Sequence, residues 1–195
     1  MLLFLDIDGT LIPFGGTDRP YPEHRPRTGY DPGPHAPHPL LPRLDPSLGP
    51  RLLALGCAPV WATTWLDDAN AVVAPWLGLP PLPVVDWPRT PAFGGLHWKT
   101  RTLVSWAAGR PFVWLDDEIT ATDRAWITAH HPGPALPHRV DHRTGLTDAD
   151  FALVETWLSA PHGPAGPRPR PPGLPPTTAP PFTGPDFGGP RSEPE

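Results

Sequence analysis

Residues 2–8 read LLFLDID, an unbroken apolar run that ends in carboxylates. A run this short with no polar alternation predicts a strand buried on both faces, as in the middle of a parallel sheet, with a functional C-terminal end. Apolar blocks then recur along the chain. APVWAT (58–63), PLPVVD (81–86), PFVWLDD (111–117) and a short segment near 135–140 predict four more strands. Between them lie stretches of helical period. One opens at Asp45-Pro46, with aspartate as N-cap and proline in the first turn, and closes at Gly56. Another starts at Asp67 or Asp68 and ends at Gly78; the rest cover 97–109, 120–131 and a span from Thr147 to Leu158. Thr147 with Asp150 has the spacing of a capping box. Strands alternating with helices predict an α/β fold with a doubly wound parallel sheet, where ligands bind beyond the strand C-termini.

Two stretches break this rhythm. Residues 13–46 hold ten prolines, which excludes a long helix and predicts a flap with room for one short hairpin. From Pro161 to Glu195, 13 of 35 residues are proline and aliphatics are almost absent. Such a tail buries too little apolar area to offset its ordering entropy and is expected to be disordered. One α/β domain over 1–159, with a tail over 160–195, is the expected organisation. The tail's PRPRPP could serve as a polyproline ligand for a partner domain, with plain linker the more ordinary use.

Composition narrows the function classes. A net charge of −5 gives no global field to recruit nucleic acid, so any such contact must be local. No apolar stretch approaches a membrane span of about 18–20 residues. A single cysteine, Cys57, forbids an internal disulfide and fits a reducing cytoplasm. Fourteen arginines stand against one lysine, Lys99, which suggests a site where a compact ammonium works and a planar guanidinium does not. The nine histidines show no zinc-like spacing with a third ligand, and only His97, beside Lys99, falls near other candidates.

Four polar clusters fall at matching strand or helix ends: Asp6/Asp8, Thr63/Thr64, Lys99 and Asp116/Asp117. Each alone is an ordinary turn or cap; together they face one crevice. Phosphate monoesters resist hydrolysis because an anion must attack an anionic centre, and positioning with charge neutralisation overcomes this. A carboxylate can attack phosphorus once a cation screens it, through an aspartyl-phosphate. Mg²⁺ takes hard oxygen ligands, which Asp6 with Asp116 or Asp117 can supply. Asp8, two residues on, shares a face with Asp6 and can act as general acid. A threonine hydroxyl and the Lys99 ammonium then hold the other phosphoryl oxygens.

FLDIDGTL, followed in order by Thr, Lys and Asp-Asp, resembles the haloacid dehalogenase (HAD) superfamily. That resemblance implies a Rossmann-like core with Asp6 as nucleophile and Asp8 as acid/base, its carbonyl also on Mg²⁺. It makes Thr63 (preferred over Thr64) the second-motif hydroxyl, Lys99 the third-motif ammonium, and Asp116 and Asp117 the metal anchors. HAD enzymes select substrates largely through inserted cap domains, and neither gap here holds a full cap, which leaves the site open to bulky substrates. Receiver domains use similar residues in another order, and HAD ATPases lack the second carboxylate. VWATTWLDDAN, HWKT, FVWLDDE and DHRTGLT further resemble the HAD domain of Swiss army knife RNA-repair proteins. This likeness implies phosphate removal at RNA or DNA ends, or from nucleotides. Thr64, Trp65, Asn70 and Trp98 are the candidate substrate-binding residues. Trp65 and Trp98 are placed to stack on a base, whereas Trp61 and Trp114 suit core packing. A general small-molecule phosphatase and a non-catalytic binding protein are the alternatives. Oligomeric state is not legible.

Overall fold

A computed structural model describes residues 1–16, 20–26, 30, 38–88 and 95–161. All belong to one compact unit, Met1–Ala165. The tail and its PRPRPP motif lie outside the described residues, as does much of the expected flap.

Four strands form one parallel sheet: β1 (Leu2–Leu5), β2 (Ala58–Trp61), β3 (Phe112–Asp116) and β4 (Ala135–Arg139), in the order β2-β1-β3-β4. Strand β1 lies between two partners and is buried along its whole length, as its continuous apolar run requires. Alternate side chains serve opposite layers. Leu3 and Leu5 join a core with α1 (Leu48–Ala54), α2 (Ala74–Leu77) and α5 (Asp148–Ser159). Leu2 and Phe4 join a second core with α3 (Thr100–Ala107) and α4 (Ala121–His130). Trp61 and Trp114 are fully buried in these cores. The sheet is thus doubly wound, and no full cap domain is present among the described residues.

Several boundaries differ from the sequence expectation. The segment 81–86 is not a strand: it contributes a single parallel bridge, Trp61 to Val84. Pro80, Pro81 and Pro83 have no N–H to donate, so a regular ladder cannot form there. Only Trp61 N–H to Pro83 O (2.8 Å) and Val85 N–H to Trp61 O (2.9 Å) remain. Asp45 does not cap α1; its Oδ1 accepts from Ser47 N at 2.8 Å and closes a turn before the helix. The helix expected after Asp67/Asp68 is a π-helical stretch, Ala69–Val73, running into α2, which ends at Gly78 in the left-handed region. Helix α3 starts three residues later than expected and stops at Ala108, also left-handed. The described part of 13–46 holds a 3₁₀ turn, Leu41–Arg43, and no hairpin. The Thr147–Asp150 box is present: the Asp150 carboxylate accepts from the Thr147 N–H at 2.7 Å.

No helix among the described residues is long and apolar enough to cross a membrane.

Candidate active site

Asp6 leaves the end of β1, its N–H bonded to Leu115 O at 3.1 Å. The chain then turns tightly, with Gly9 N–H on Ile12 O and Ile12 N–H on Ile7 O. Gly9 carries φ +74°, and a Cβ there would lie 2.5 Å from the Asp117 carboxyl. Glycine is therefore required twice, for backbone angle and for room. Strand β3 delivers Asp116 and Asp117 beside this turn, and Lys99 enters from the start of α3.

Lys99 Nζ lies 2.7 Å from Asp6 Oδ1 and 2.8 Å from Asp116 Oδ2, and is itself 3% exposed. Asp116 is further held by Trp114 Nε1 (3.2 Å) and the Glu118 N–H (3.0 Å). Arg139 Nε donates to the Asp117 carbonyl at 2.8 Å. Burial raises Asp6, Lys99 lowers it and Asp116 raises it again, leaving its carboxyl pushed up to about 7. For Lys99, burial alone would favour the neutral amine, but Asp6 and Asp116 outweigh it and raise its pKa. Asp117 is also raised, by burial first and by Asp116 second. One ammonium thus faces more carboxylate than it can neutralise, and the set is short of positive charge.

The carboxylate oxygens of Asp6, Asp116 and Asp117 lie within 4.8 Å of one another. This all-oxygen set, electrostatically short of cation, fits Mg²⁺. The Asp8 carboxylate is not part of it: its Oδ2 accepts from Trp65 Nε1 at 2.9 Å. A cavity of about 170 Å³ opens over these groups, lined by Asp6, Asp8, Lys99 and Asp117 with Phe14, Thr64, Trp98 and Glu118.

Of the residues singled out from sequence, Asp6, Asp8, Lys99, Asp116, Asp117, Thr64 and Trp98 are brought together. Thr63 is fully buried and does not line the cavity; its hydroxyl accepts from Trp65 N at 3.4 Å and its carbonyl from Trp87 Nε1 at 2.9 Å. Asn70 requires a correction: its amide is committed to the fold. Oδ1 accepts from Trp61 Nε1 (3.0 Å) and Leu82 N (2.8 Å), and Nδ2 donates to Leu82 O (2.8 Å). It thereby replaces the ladder that the prolines deny to 81–86. Trp65 holds Asp8 through its N–H, while its ring meets His38 at 4.8 Å. Trp98 stands edge-on against Trp87, ring centroids 4.7 Å apart.

Sequence reasoning missed Phe14 and Trp87, which carry no motif signal, and Glu118, which ends the FVWLDDE segment but is given no role there. Asp123 was missed despite such a signal. The T-x-x-D spacing that marked Thr147–Asp150 recurs at Thr120–Asp123, and the structure shows that box in full. His97 is near the site: its Nε2 is 2.9 Å from Glu118 Oε2, and its N–H donates to Asp123 Oδ1 at 2.8 Å.

A family model described as the HAD domain in Swiss Army Knife RNA repair proteins matches residues 2–151. No curated protein and no solved structure matches the chain.

Proposed function

Because the chain belongs to the HAD domains of Swiss Army Knife RNA repair proteins, we propose that it is a Mg²⁺-dependent phosphomonoesterase acting on phosphorylated nucleic-acid ends through an aspartyl-phosphate. The observation that carries this reading is Asp6. It is a buried carboxylate on the cavity wall, 2.7 Å from the only lysine, with one oxygen within 4.8 Å of an oxygen of each of Asp116 and Asp117.

Asp6 attacks phosphorus, its oxygen forming the new bond as the bond to the leaving oxygen breaks. Asp8 gives that oxygen its proton. Water then attacks the aspartyl-phosphate, Asp8 takes the water's proton, and inorganic phosphate departs with Asp6 restored. Lys99 fixes the attacking carboxylate and spreads positive charge toward the phosphoryl oxygens. Trp65 Nε1 occupies Asp8 Oδ2 and leaves the other oxygen to carry the mobile proton. Thr64 lines the cavity as a hydroxyl for a phosphoryl oxygen, in place of Thr63. Mg²⁺ held by Asp6, Asp116 and Asp117 would neutralise the charge that otherwise repels the nucleophile from its target.

The substrate class rests on the family, on the absence of a full cap among the described residues, and on Trp98, which lines the cavity. Cys57 is a free thiol, which suits a cytoplasmic protein. Two measurements test the proposal. Asp8→Asn with an aryl phosphate should trap one phosphoryl group on Asp6, visible by mass spectrometry; a phosphoryl group on any other residue sinks the nucleophile assignment. End-phosphorylated oligonucleotide should exceed glucose 6-phosphate in kcat/KM at one salt concentration. A reversal by about tenfold leaves a general small-molecule phosphatase.

A further inference from the structure

The cavity over Asp6, about 170 Å³, accommodates a phosphoryl group but not the body of its substrate. Sites that enclose drug-sized ligands run from about 300 to 1,000 Å³. Two larger hollows are lined in part by chain neighbours or ring partners of residues that line it. One, of about 850 Å³, is lined by Pro13, Tyr21, Arg43, Arg51 and Arg143 among others. Pro13 is the chain neighbour of Phe14, which lines the small cavity. Phe14 is fixed to the loop that carries Arg143, with its N–H on His142 O at 2.8 Å and its ring 5.4 Å from the His142 ring. The other hollow, of about 520 Å³, is reached past Trp98 through its partner Trp87 and is lined by Asp86, Arg101 and Trp106.

Charge separates the two. The larger has three guanidiniums against Asp45 and Asp148, whereas the smaller has Arg101 against Asp86. Two cations of the larger hollow are also held in place. Arg43 donates to Pro13 O at 3.2 Å and lies over the Tyr21 ring at 4.4 Å. Arg51 is paired with Asp148 at 2.8 Å and lies over the Phe151 ring. A guanidinium has several donors, so Arg43 keeps others for a ligand, and Arg143 is exposed. Local positive charge of this kind resolves how a chain of net charge −5 can hold a polyanion.

We propose that the 850 Å³ cavity binds the nucleotide next to the phosphorylated end, with its backbone phosphate on Arg43 and Arg143. The inference rests on the nucleic-acid-end reading above and adds to it a minimum length. A backbone phosphate on Arg43 and Arg143 is additional to the one over Asp6, so the preferred substrate has at least two nucleotides.

The test compares binding of a labelled, end-phosphorylated trinucleotide and the matching mononucleotide to the full chain in chelator, by fluorescence anisotropy. The trinucleotide should bind about tenfold tighter or more. Arg143→Glu should abolish most of that advantage and reduce the slope of log Kd on log salt by about 0.7, one lost phosphate contact on a single strand. Arg101→Gln should leave the advantage intact. Equal affinity for the two probes overturns the proposal, as does an unchanged advantage in Arg143→Glu. So does a loss confined to Arg101→Gln, which places the strand past Trp87. Hydrolysis of p-nitrophenyl phosphate is followed in parallel with Mg²⁺. Binding as expected without any hydrolysis would strike the phosphatase reading alone, and hydrolysis without the length dependence would strike the cavity alone.

Discussion

Lys99 and Thr100 are adjacent in the chain, yet each serves a different group of buried aspartates. Lys99 reaches Asp6 and Asp116, while Thr100 Oγ1 donates to Asp123 at 2.7 Å. Asp123 is fully buried, as is Asp116. Burial raises the Asp123 pKa too, but hydroxyl and N–H donors from Thr120, Thr100 and His97 more than offset it and hold the carboxyl below its usual range. No cation takes part in those bonds. Asp6 has a lysine and still sits near 7, because its burial, reinforced by the Asp116 carboxylate that shares the same ammonium, outweighs that cation. Two buried carboxylates are therefore shifted in opposite directions. A carboxylate surrounded by neutral donors is a fastening, whereas carboxylates crowded round one ammonium keep an unmet demand for positive charge, which a metal ion and a phosphoryl centre can meet.

Exchanging charge for amide at each group should change stability in opposite directions. Asp6→Asn should lower kcat for p-nitrophenyl phosphate by about a thousandfold or more, since it removes the nucleophile itself. Its effect on folding should be the reverse. A carboxyl whose folded pKa is raised to about 7 from 3.8 costs metal-free stability progressively as pH rises between those values. Asp6→Asn should therefore melt higher than the unaltered chain at pH 8 in chelator and equally at pH 4. A lower melting temperature at pH 8 would mean that the Asp6–Lys99 bond outweighs the crowding.

Lys99→Arg should cost about a hundredfold in kcat, because a planar fork cannot replace a point donor shared by Asp6 and Asp116 in a pocket this closed. Near-unaltered turnover would remove the special standing of the lone lysine. Asp123→Asn should lower stability by about 2–4 kcal/mol at neutral pH, by urea denaturation, because an amide nitrogen would face donors. Its sign with pH is opposite to that of Asp6: a depressed folded pKa stabilises above the unfolded value, and the benefit fades as pH falls below about 4. Unaltered and variant chains should thus converge in acid, while kcat per folded molecule stays close to the original. Trp65→Phe should have the smallest effect, about tenfold in kcat/KM for alkyl phosphates and less for aryl phosphates, whose leaving oxygen hardly needs a proton. An equal loss on both classes would assign Trp65 to packing instead of to orienting Asp8.

The sequence made β1, β3 and the carboxylate pairs after them legible because a doubly buried strand has few other readings. Lys99 stood out because composition isolated it. What stayed hidden depended on partners distant in sequence. Asn70 sits beside a candidate motif, so adjacency suggested substrate contact; only the three-dimensional neighbourhood shows its amide spent on Trp61 and Leu82. Trp65 looked like a stacking surface because its ring is obvious and the direction of its N–H is not. Thr63 and Thr64 differ by one position, and strand alternation alone left the choice open. The structure turns Thr64 to the cavity and buries Thr63.

The proline-bearing segment that fails to become a strand has a consequence outside the site. It lies along the free side of β2 with Pro80, Pro81 and Pro83. The opposite edge strand, β4, carries Pro137 at its centre, paired with Trp114. Open parallel sheets end in rows of unused donors and acceptors that can template another chain. Here both margins are interrupted by residues that have no hydrogen to offer. An added strand would therefore meet an incomplete row of donors at each of these two margins.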